Sequence, residues 1–422
     1  ILLETLINSI KRSYAMEQSL TANGTSQTVS LASVNQVYSG INCHHQAATW
    51  CRELGMTNKV LLITDNGLSS LGIHQSLVDV LANSGFSVII YSDVSADPKD
   101  SIILDAVKLA LSESVTGVIG FGGGSSLDVA KMVALLGHKE AMDTLNTCYG
   151  VNQVIGSRLP LIQVPTTAGT GSEVTPISII TTGDTTKNAC VSPTIMADTV
   201  ILDASFTANL PNHIAAATGV DAMVHALEAY TSLLKKNIIT DGIAKQALEL
   251  LNNNIIDACG GDKPLKAREN MLIGSMLAGH AFANAPVGAI HALAYPLGGH
   301  FHIPHGNANA LMLTEVMKFN LPIAAKEYAE LADFLLGTCQ SIEQNVSLTA
   351  EVRVKHNAQR LITHFEQLLQ KLHVPLTLSD YDITESDLPK LAVDAMKQTR
   401  ILQNNPRVVS EEDALTIYRA LL

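Results

Sequence analysis

The stretch from Met271 to Thr314 constrains the fold most, because it contains no Asp, Glu, Lys or Arg. A segment without these charges is expected to be buried, yet this one carries His280, His291, His300, His302 and His305. Buried imidazoles need polar partners. The same stretch holds Asn284, three prolines and repeated glycines, which argues against a membrane span. We therefore expect a buried region of the protein that carries a polar site.

Two segments supply candidate metal ligands. TGVDAMVHALEAY contains Asp221 and His225, and GAIHALAYPLGGHFHIPHG contains His291 and His305. Asp221 and His225 are four residues apart in a helical pattern, so both side chains project from one face of a helix. Three imidazoles and one carboxylate suit Fe²⁺ or Zn²⁺, and ligand softness does not choose between them. The sequence thus predicts one metal site, with His300 and His302 in its wall and His280 as a core histidine.

Composition limits the class of protein. The chain of 422 residues exceeds the size at which one core stops growing, so two domains are expected. Hydrophobic residues make up 47% and aromatic residues 4%, which favours helices and parallel strands over an all-β sandwich. The net charge of −12 argues against a nucleic-acid surface. The six cysteines form no CxxC pair, as is typical of reduced thiols, so we expect a cytoplasmic protein.

The first half of the chain alternates β-branched runs with helical segments, which is typical of a parallel sheet. The predicted strands are KVLLITD (59–65), SVIIYSD (87–93), GVIGFGGG (117–124), LPLIQVPTT (159–167) and TVILDAS (199–205). A hairpin that turns near Gly183 and Asp184 is expected outside that sheet, and amphipathic helices follow residue 205. We predict an N-terminal extension (1–27), an α/β dinucleotide-binding domain (28–205) and an all-α metal-binding and substrate domain (206–422), with a ligand cleft between the last two.

Two loops in the α/β domain indicate a cofactor. GFGGGSSLDVAK joins a predicted strand to a predicted helix, so Gly122, Gly123, Gly124 and Ser125 are candidates to contact a pyrophosphate. The order differs from a Rossmann fingerprint, because the acidic candidate for the ribose, Asp65, precedes the glycines. Asp65 is equally suited to capping a helix, and its position at a strand end favours the ribose.

The second loop, QVPTTAGTGSEVT, offers hydroxyls from Thr166, Thr167, Thr170 and Ser172, while Gly169 and Gly171 permit a close approach. Both loops follow strands of one predicted sheet. Ligands of open α/β folds bind outside the carboxyl ends of such strands. The two loops together predict a dinucleotide site.

At this point the chain resembles the iron-containing (group III) alcohol dehydrogenases, which have the dehydroquinate synthase-like fold. The resemblance runs from about Val29 to the C-terminus. It rests on GGGSSLD (122–128), PTTAGTGSEVT (165–175), ATGVDAMVHALEAY (217–230), GAIHALAYPLGGHFHIPHGNANA (288–310) and NNPRVVSEEDALTIYRALL near the end.

The resemblance implies roles residue by residue. It makes Asp221, His225, His291 and His305 the metal ligands. It makes Gly123, Gly124, Ser125, Thr166, Thr167 and Thr170 cofactor contacts, and Gly122 and Asp128 of the same glycine-rich segment are further candidates. Asp65 is implied near the adenine ribose, where a carboxylate would accept from the 2′-hydroxyl and repel a 2′-phosphate, so NAD is favoured over NADP. Asp97 and Lys187 match polar positions near the cofactor, although a helix cap and a solvated surface charge are their alternatives.

Tyr295 departs from the family pattern. Many members have a second histidine four residues after the ligand that corresponds to His291, near the nicotinamide and the substrate. A phenol titrates near pH 10, so proton relay through Tyr295 would need a strongly lowered pKa, and hydrogen bonding is the alternative. Hydroxyacid-oxoacid transhydrogenases of the same superfamily look similar in having tyrosine there.

These observations predict a metal-dependent, NAD(H)-linked alcohol dehydrogenase that interconverts a small primary alcohol and its aldehyde. A hydroxyacid-oxoacid transhydrogenase or 4-hydroxybutyrate-type dehydrogenase is the alternative. A dehydroquinate synthase-like lyase is less favoured, because its anionic substrate needs basic residues that the candidate pocket segments lack. A binding protein without catalysis is disfavoured, because all four expected ligands are present. A homodimer is possible, since the family commonly dimerises.

Overall fold

The structure is a computed structural model that describes residues 29, 31–183, 186–339 and 349–422. The expected extension (1–27) and part of the hairpin turn lie outside the described residues. The strands are β1 (Gln36–Ser39), β2 (Lys59–Asp65), β3 (Ser87–Val94), β4 (Val118–Gly122), β5 (Gly150–Val151), β6 (Leu161–Pro165), β7 (Ile177–Thr182), β8 (Thr186–Val191) and β9 (Thr199–Leu202). Between them lie helices α1 (Ala47–Glu53), α2 (Asn66–Ser70), α3 (Gln75–Asn83), α4 (Asp100–Glu113) and α5 (Gly124–Leu136).

Six strands form one parallel sheet in the order β1-β9-β6-β4-β2-β3. Its central strands are apolar on both faces, and Val60 through Ile63 of β2 are all fully buried. This pattern is expected when helices cover both faces of a sheet. The five strands predicted from sequence are confirmed, whereas β1 was missed because it has only four residues and is mostly exposed.

A second sheet has the order β5-β8-β7, in which β7 and β8 are antiparallel. The expectation of a hairpin outside the parallel sheet is therefore confirmed. The very short β5, which pairs in parallel with β8, was not predicted. Lys131 of α5 donates to the carbonyl of Ile177 in β7, which ties the hairpin to the helix after β4.

The parallel sheet brings the two cofactor loops together. Gly122 at the end of β4 pairs with Pro165 at the end of β6, and the Thr166 amide donates to the Gly122 carbonyl over 3.0 Å. Strand β2, which ends at Asp65, lies on the other side of β4. All three sequence signals thus occupy the carboxyl edge of the sheet, where open α/β folds bind ligands.

The described elements after Leu202 are helical. They include α6 (Asn212–Thr231), α7 (Ile238–Cys259), α8 (Leu265–Asn284), α9 (Ala289–Phe301), α10 (His305–Leu336), α11 (Ala350–Lys371), α12 (Leu388–Ala395), α13 (Thr399–Leu402) and α14 (Glu411–Arg419). The boundary at residue 205 stays a prediction, because residues 32–422 form one compact unit. Among the described helices, none is long and apolar enough to cross a membrane.

Candidate metal centre and cofactor cradle

The metal-ligand candidates come from three helices of the helical half. Helix α6 is buried almost throughout and carries Asp221 and His225, which are 2% and 5% exposed. Helix α9 begins at Ala289 and supplies the buried His291, and α10 begins with His305. One ligand atom from each of the four residues lies within 4.8 Å of the others. The structure therefore brings together all four residues that the sequence singled out.

The distances are close to those of a formed metal site. Asp221 Oδ1 lies 3.7 Å from His305 Nε2, 3.8 Å from His291 Nε2 and 4.0 Å from His225 Nε2. Ligands about 2.0–2.2 Å from a central ion in tetrahedral geometry are about 3.4 Å apart. A small inward movement would thus let all four atoms reach one ion, and the donor set fits Fe²⁺ or Zn²⁺.

Hydrogen bonds at the far nitrogens orient two of the imidazoles. His291 Nδ1 lies 2.6 Å from Glu228 Oε2, and His225 Nδ1 lies 3.3 Å from the Gly169 carbonyl. Glu228 also accepts from the Ile290 amide over 2.7 Å, so its carboxylate bridges α6 and the start of α9. A carboxylate or carbonyl that accepts from Nδ1–H leaves the Nε2 lone pair for a metal.

Sequence reasoning missed Glu228, although a signal was present. It is a buried acid three residues after His225 on the same helix, and a buried carboxylate needs a donor. Asn309, one turn after His305, was missed as well. Its fully buried amide nitrogen lies 2.6 Å from Asp221 Oδ1.

The electrostatics of the cluster favour its metal-binding forms. Burial opposes ionisation of Asp221, but His225, His305 and His291 together with Asn309 hold the pKa of this carboxyl below its ordinary value. Burial lowers the pKa of His225 to about 3. At neutral pH the cluster thus presents a carboxylate and an unprotonated His225, which are the forms that bind metal ions.

Aromatic rings border the cluster. Phe282 stacks on His225 with ring centroids 4.3 Å apart, and Tyr295 lies 6.4 Å from His291 and 5.9 Å from His305. Burial raises the pKa of Tyr295 to about 12. The phenol is therefore a neutral hydrogen-bond donor at physiological pH. His305, with 42% of its side chain exposed, marks the open side of the cluster.

The turn from β4 to α5 has the features of a phosphate cradle. Gly122 has φ of 150°, and a Cβ there would lie 2.7 Å from Ser126 Oγ. Gly123 is the N-cap of α5 and supplies no side-chain hydrogen bond to the first turn. The first amides of this 13-residue helix are therefore available to an anion, as are Ser125 and its neighbours. These residues fit the pyrophosphate of a dinucleotide.

The loop 165–175 lies between this cradle and the metal-ligand cluster. Thr166 is buried, whereas Thr167 and Thr170 are partly exposed, and Thr170 lies against Gly124. Gly171 has φ of 60°, and a Cβ on it would lie 2.5 Å from the Cα of Gly279 in α8. The close approach expected of Gly171 is thus made to the backbone of the helical half.

Asp128, predicted as a cofactor contact, forms hydrogen bonds inside the protein through both carboxylate oxygens. Its Oδ1 accepts from Ser172 Oγ over 2.6 Å, and its Oδ2 accepts from the Ile179 amide over 2.8 Å. Lys131, which is fully buried, donates to Asp128, Ser172 and Thr175. Both oxygens of Asp128 are engaged inside the protein, where they hold the loop and the hairpin against α5.

The remaining candidates lie around the cradle or outside the cluster. Asp65 caps α2, and its Oδ1 accepts from the Leu68 amide over 2.9 Å, so the capping alternative is present. Asp97 forms an ion pair with Lys187, and both charges lie within electrostatic range of His305. His300 lies 2.5 Å from Asp394 through Nε2 and is not a member of the ligand cluster.

Comparisons with known proteins agree with this geometry. Residues 35–204 match the family model described as iron-containing alcohol dehydrogenase, and residues 215–422 match that of its C-terminal part. Long-chain-alcohol dehydrogenase 1 of Geobacillus thermodenitrificans is 37% identical over 86% of this chain and 89% of its own length. Sulfoacetaldehyde reductase of Bilophila wadsworthia is 34% identical over 92% of this chain and 97% of its own length.

Solved structures are similar over nearly the whole chain. The crystal structure of a 1,3-propanediol oxidoreductase superimposes with a TM-score of 0.86 at 31% identity, covering 94% of this chain and all of that one. An alcohol dehydrogenase from Oenococcus oeni gives the same TM-score at 29% identity and the same coverage. The matched family models agree with the ligand cluster and the cofactor cradle. This chain therefore belongs to the iron-containing alcohol dehydrogenase family and is an NAD-dependent oxidoreductase.

Proposed function

We propose that this protein interconverts a small primary alcohol and its aldehyde in the cleft between the sheet and the helical half. The observation that carries the proposal is the convergence of Asp221, His225, His291 and His305 beside the loop that follows β6. The hydrogen bond between His225 and the Gly169 carbonyl links the ligand cluster to that loop directly. A substrate at the open side of the cluster would then lie next to the cofactor cradle.

The residues around the cluster have separate tasks. Asp221 and the three histidines would hold Fe²⁺ or Zn²⁺, which would supply Lewis-acid chemistry, and NAD would supply the hydride acceptor. The ring of Tyr295 lies 6.4 Å from that of His291 and 5.9 Å from that of His305, so its neutral phenol would donate to a substrate oxygen beside these residues. Phe282, stacked on His225, excludes water from one side of the cluster.

The substrate is proposed to be small and mostly apolar, because the region around the ligands is formed by α9 and the start of α10, which are rich in Ala, Gly, Leu and Phe. The relatives act on alcohols and aldehydes of several kinds by their names, which include long-chain alcohols, 1,3-propanediol and sulfoacetaldehyde. These names do not select one substrate for this chain.

The first experiment measures absorbance at 340 nm with metal-reconstituted protein, NAD and a series of short primary alcohols. We expect NADH to form in wild type, to depend on added metal and to be lost in His291→Ala. Lys245→Ala is the control, because Lys245 lies on α7 near the rings of Tyr230 and Phe334 and outside the ligand cluster. Metal-independent activity, or full activity in His291→Ala, would refute the proposal.

A transhydrogenase is the second candidate, because Tyr295 stands where many family members have histidine. The discriminating assay supplies 4-hydroxybutyrate and 2-oxoglutarate together and follows both acids by mass spectrometry. Hydride exchange between the acids, without release of NADH from any alcohol, would move the assignment to this activity. We expect NADH release instead.

NAD is proposed in preference to NADP because Asp65 ends β2 at the same sheet edge as the phosphate cradle. Its carboxylate would accept from a ribose 2′-hydroxyl and repel a 2′-phosphate. Asp65→Ser retains a side chain that caps α2 well but removes the charge. We expect the ratio of kcat/KM for NADP to that for NAD to rise at least about tenfold, which corresponds to about 1.4 kcal/mol. An unchanged ratio would place the ribose elsewhere.

A homodimer and a cytoplasmic location complete the proposal. Among the described strands, β1 pairs with β9 alone and forms one edge of the six-stranded sheet, so its other side offers an edge to a second copy. Light scattering coupled to gel filtration measures the mass directly, and a monomeric mass at micromolar concentration would refute the dimer. Fractionation of the source cells tests the location.

A further inference from the structure

Asn309 contacts more of the ligand cluster than any residue outside it for which the structure gives distances. It lies one turn after His305 on α10 and is fully buried. Its Nδ2 is 2.6 Å from Asp221 Oδ1 and 3.2 Å from Nε2 of both His291 and His305. One amide nitrogen therefore touches three of the four atoms that face a metal ion.

The chemistry of these contacts is specific. The amide nitrogen has two N–H groups, and the three atoms it touches are a carboxylate oxygen and two imidazole nitrogens. Glu228 accepts at His291 Nδ1, so Nε2 of this ring is the acceptor side. Asn309 thus offers its positively polarised end to the lone pairs that a cation would occupy. In the protein without metal, this end offsets the mutual repulsion of the ligand atoms.

The other end of the amide supports the same orientation. Asn309 Oδ1 is buried and has no hydrogen-bond partner among the described residues. A buried acceptor without a partner is costly. If the amide were turned, this oxygen would instead face the carboxylate of Asp221 and the two imidazole lone pairs, which is worse. The attraction to the ligand atoms therefore outweighs the cost of the unpaired oxygen.

We propose that Asn309 is a positioning residue of the metal centre, which holds the Asp221 carboxylate and preserves the ligand arrangement when the ion is absent. The inference rests on the proposed metal site. When an ion enters, the two longer contacts to His291 and His305 are given up. The short bond to Asp221 is kept, because a carboxylate oxygen has a second lone pair. The retained bond is the stronger one, since its acceptor is charged.

Because the retained bond orients a ligand, its loss should weaken metal binding. We expect Asn309→Leu, which has a similar volume and no donor, to raise the Kd for Zn²⁺ about 10- to 100-fold. Competition with a chromophoric chelator measures this constant in the full chain. Asn320→Leu is the matched control, because Asn320 is a buried asparagine of the same helix that bonds to Asn405 instead of a ligand.

A spectrum separates positioning from a loss of folding. The d–d bands of the Co²⁺-loaded protein report the geometry of the ligands, so they should change in Asn309→Leu and stay unchanged in Asn320→Leu. Equal affinity and an unchanged spectrum in Asn309→Leu would overturn the inference, as would equal effects of the Asn320 control. Failure of wild type to bind Zn²⁺ or Co²⁺ would instead refute the proposed metal site.

Discussion

Replacing Glu228 with glutamine tests how the protein orients a candidate metal ligand through a residue that does not itself bind the metal. The carboxylate accepts two hydrogen bonds, from His291 Nδ1 at 2.6 Å and from the Ile290 amide at 2.7 Å, and its side chain is 5% exposed. Glutamine would present one acceptor oxygen and one amide NH₂ group to these two hydrogen-bond partners. If the oxygen faces Ile290, the amino group faces His291 Nδ1 and favours the tautomer that is protonated at Nε2. That tautomer cannot bind a metal ion through Nε2.

The expected size follows from two independent arguments. An unsatisfied buried polar group costs about 1–3 kcal/mol. Loss of the partner of a metal-bound histidine typically costs 10- to 100-fold in affinity, which corresponds to about 1.4–2.7 kcal/mol. The two ranges overlap. We therefore expect the Kd for Zn²⁺ to rise about 10- to 100-fold in Glu228→Gln.

Chelator competition at pH 7.5 measures this change, with apo-protein stability recorded in parallel. The control is Glu330→Gln, because Glu330 also accepts a hydrogen bond from a residue of α6, Tyr230, and lies outside the ligand cluster. Unchanged zinc affinity in Glu228→Gln, with both proteins folded, would refute the orienting role of Glu228. An equal loss in Glu330→Gln would attribute the effect to the stability of α6.

Three further predictions concern the loop 165–175 and its supports. Lys131→Met should lower the free energy of unfolding by about 3–5 kcal/mol and raise the KM for NAD, because it leaves Asp128 without its buried cation. Urea denaturation measures the first change and steady-state kinetics the second. An unchanged KM would show that Lys131 does not support the cofactor loop. Burial raises the pKa of Glu173 to about 7, so the folded state keeps a proton that the unfolded state releases above about pH 4.5, and stability is lost as the pH rises through 7. Glu173→Gln should remove this loss, with a gain approaching about 3 kcal/mol at pH 8 and none near pH 4; equal denaturation midpoints at pH 8 would contradict the argument. Gly171→Ala should lower the melting temperature by several degrees in thermal unfolding, because φ at this position is 60° and the new Cβ would meet the Gly279 backbone. Gly242→Ala is the control, because a Cβ there meets open space and should not lower the melting temperature. An unchanged melting temperature in Gly171→Ala would contradict the argument.

Local sequence patterns determined much of the fold. Strand β2 has the predicted bounds, since Val60 through Ile63 form an apolar run that only a sheet covered on both faces can bury. The cluster of candidate ligands was also predictable, because Asp221 and His225 have helical spacing and His291 and His305 stand in a stretch without Asp, Glu, Lys or Arg. These signals are local, so they can be recognised in the sequence without knowledge of the tertiary structure.

The partners of those ligands depend on the tertiary structure. Glu228 meets His291 across 63 residues, and Asn309 meets Asp221 across 88. The contacts of Asp128 with Ser172 and Ile179, and the approach of Gly171 to the Gly279 backbone, likewise join segments that are distant in the sequence. The sequence by itself determined which residues can bind a metal and where the strands run. Only the packing of α6, α8, α9 and α10 decided how those residues are oriented, because hydrogen bonds between distant segments leave no periodic signal in the chain.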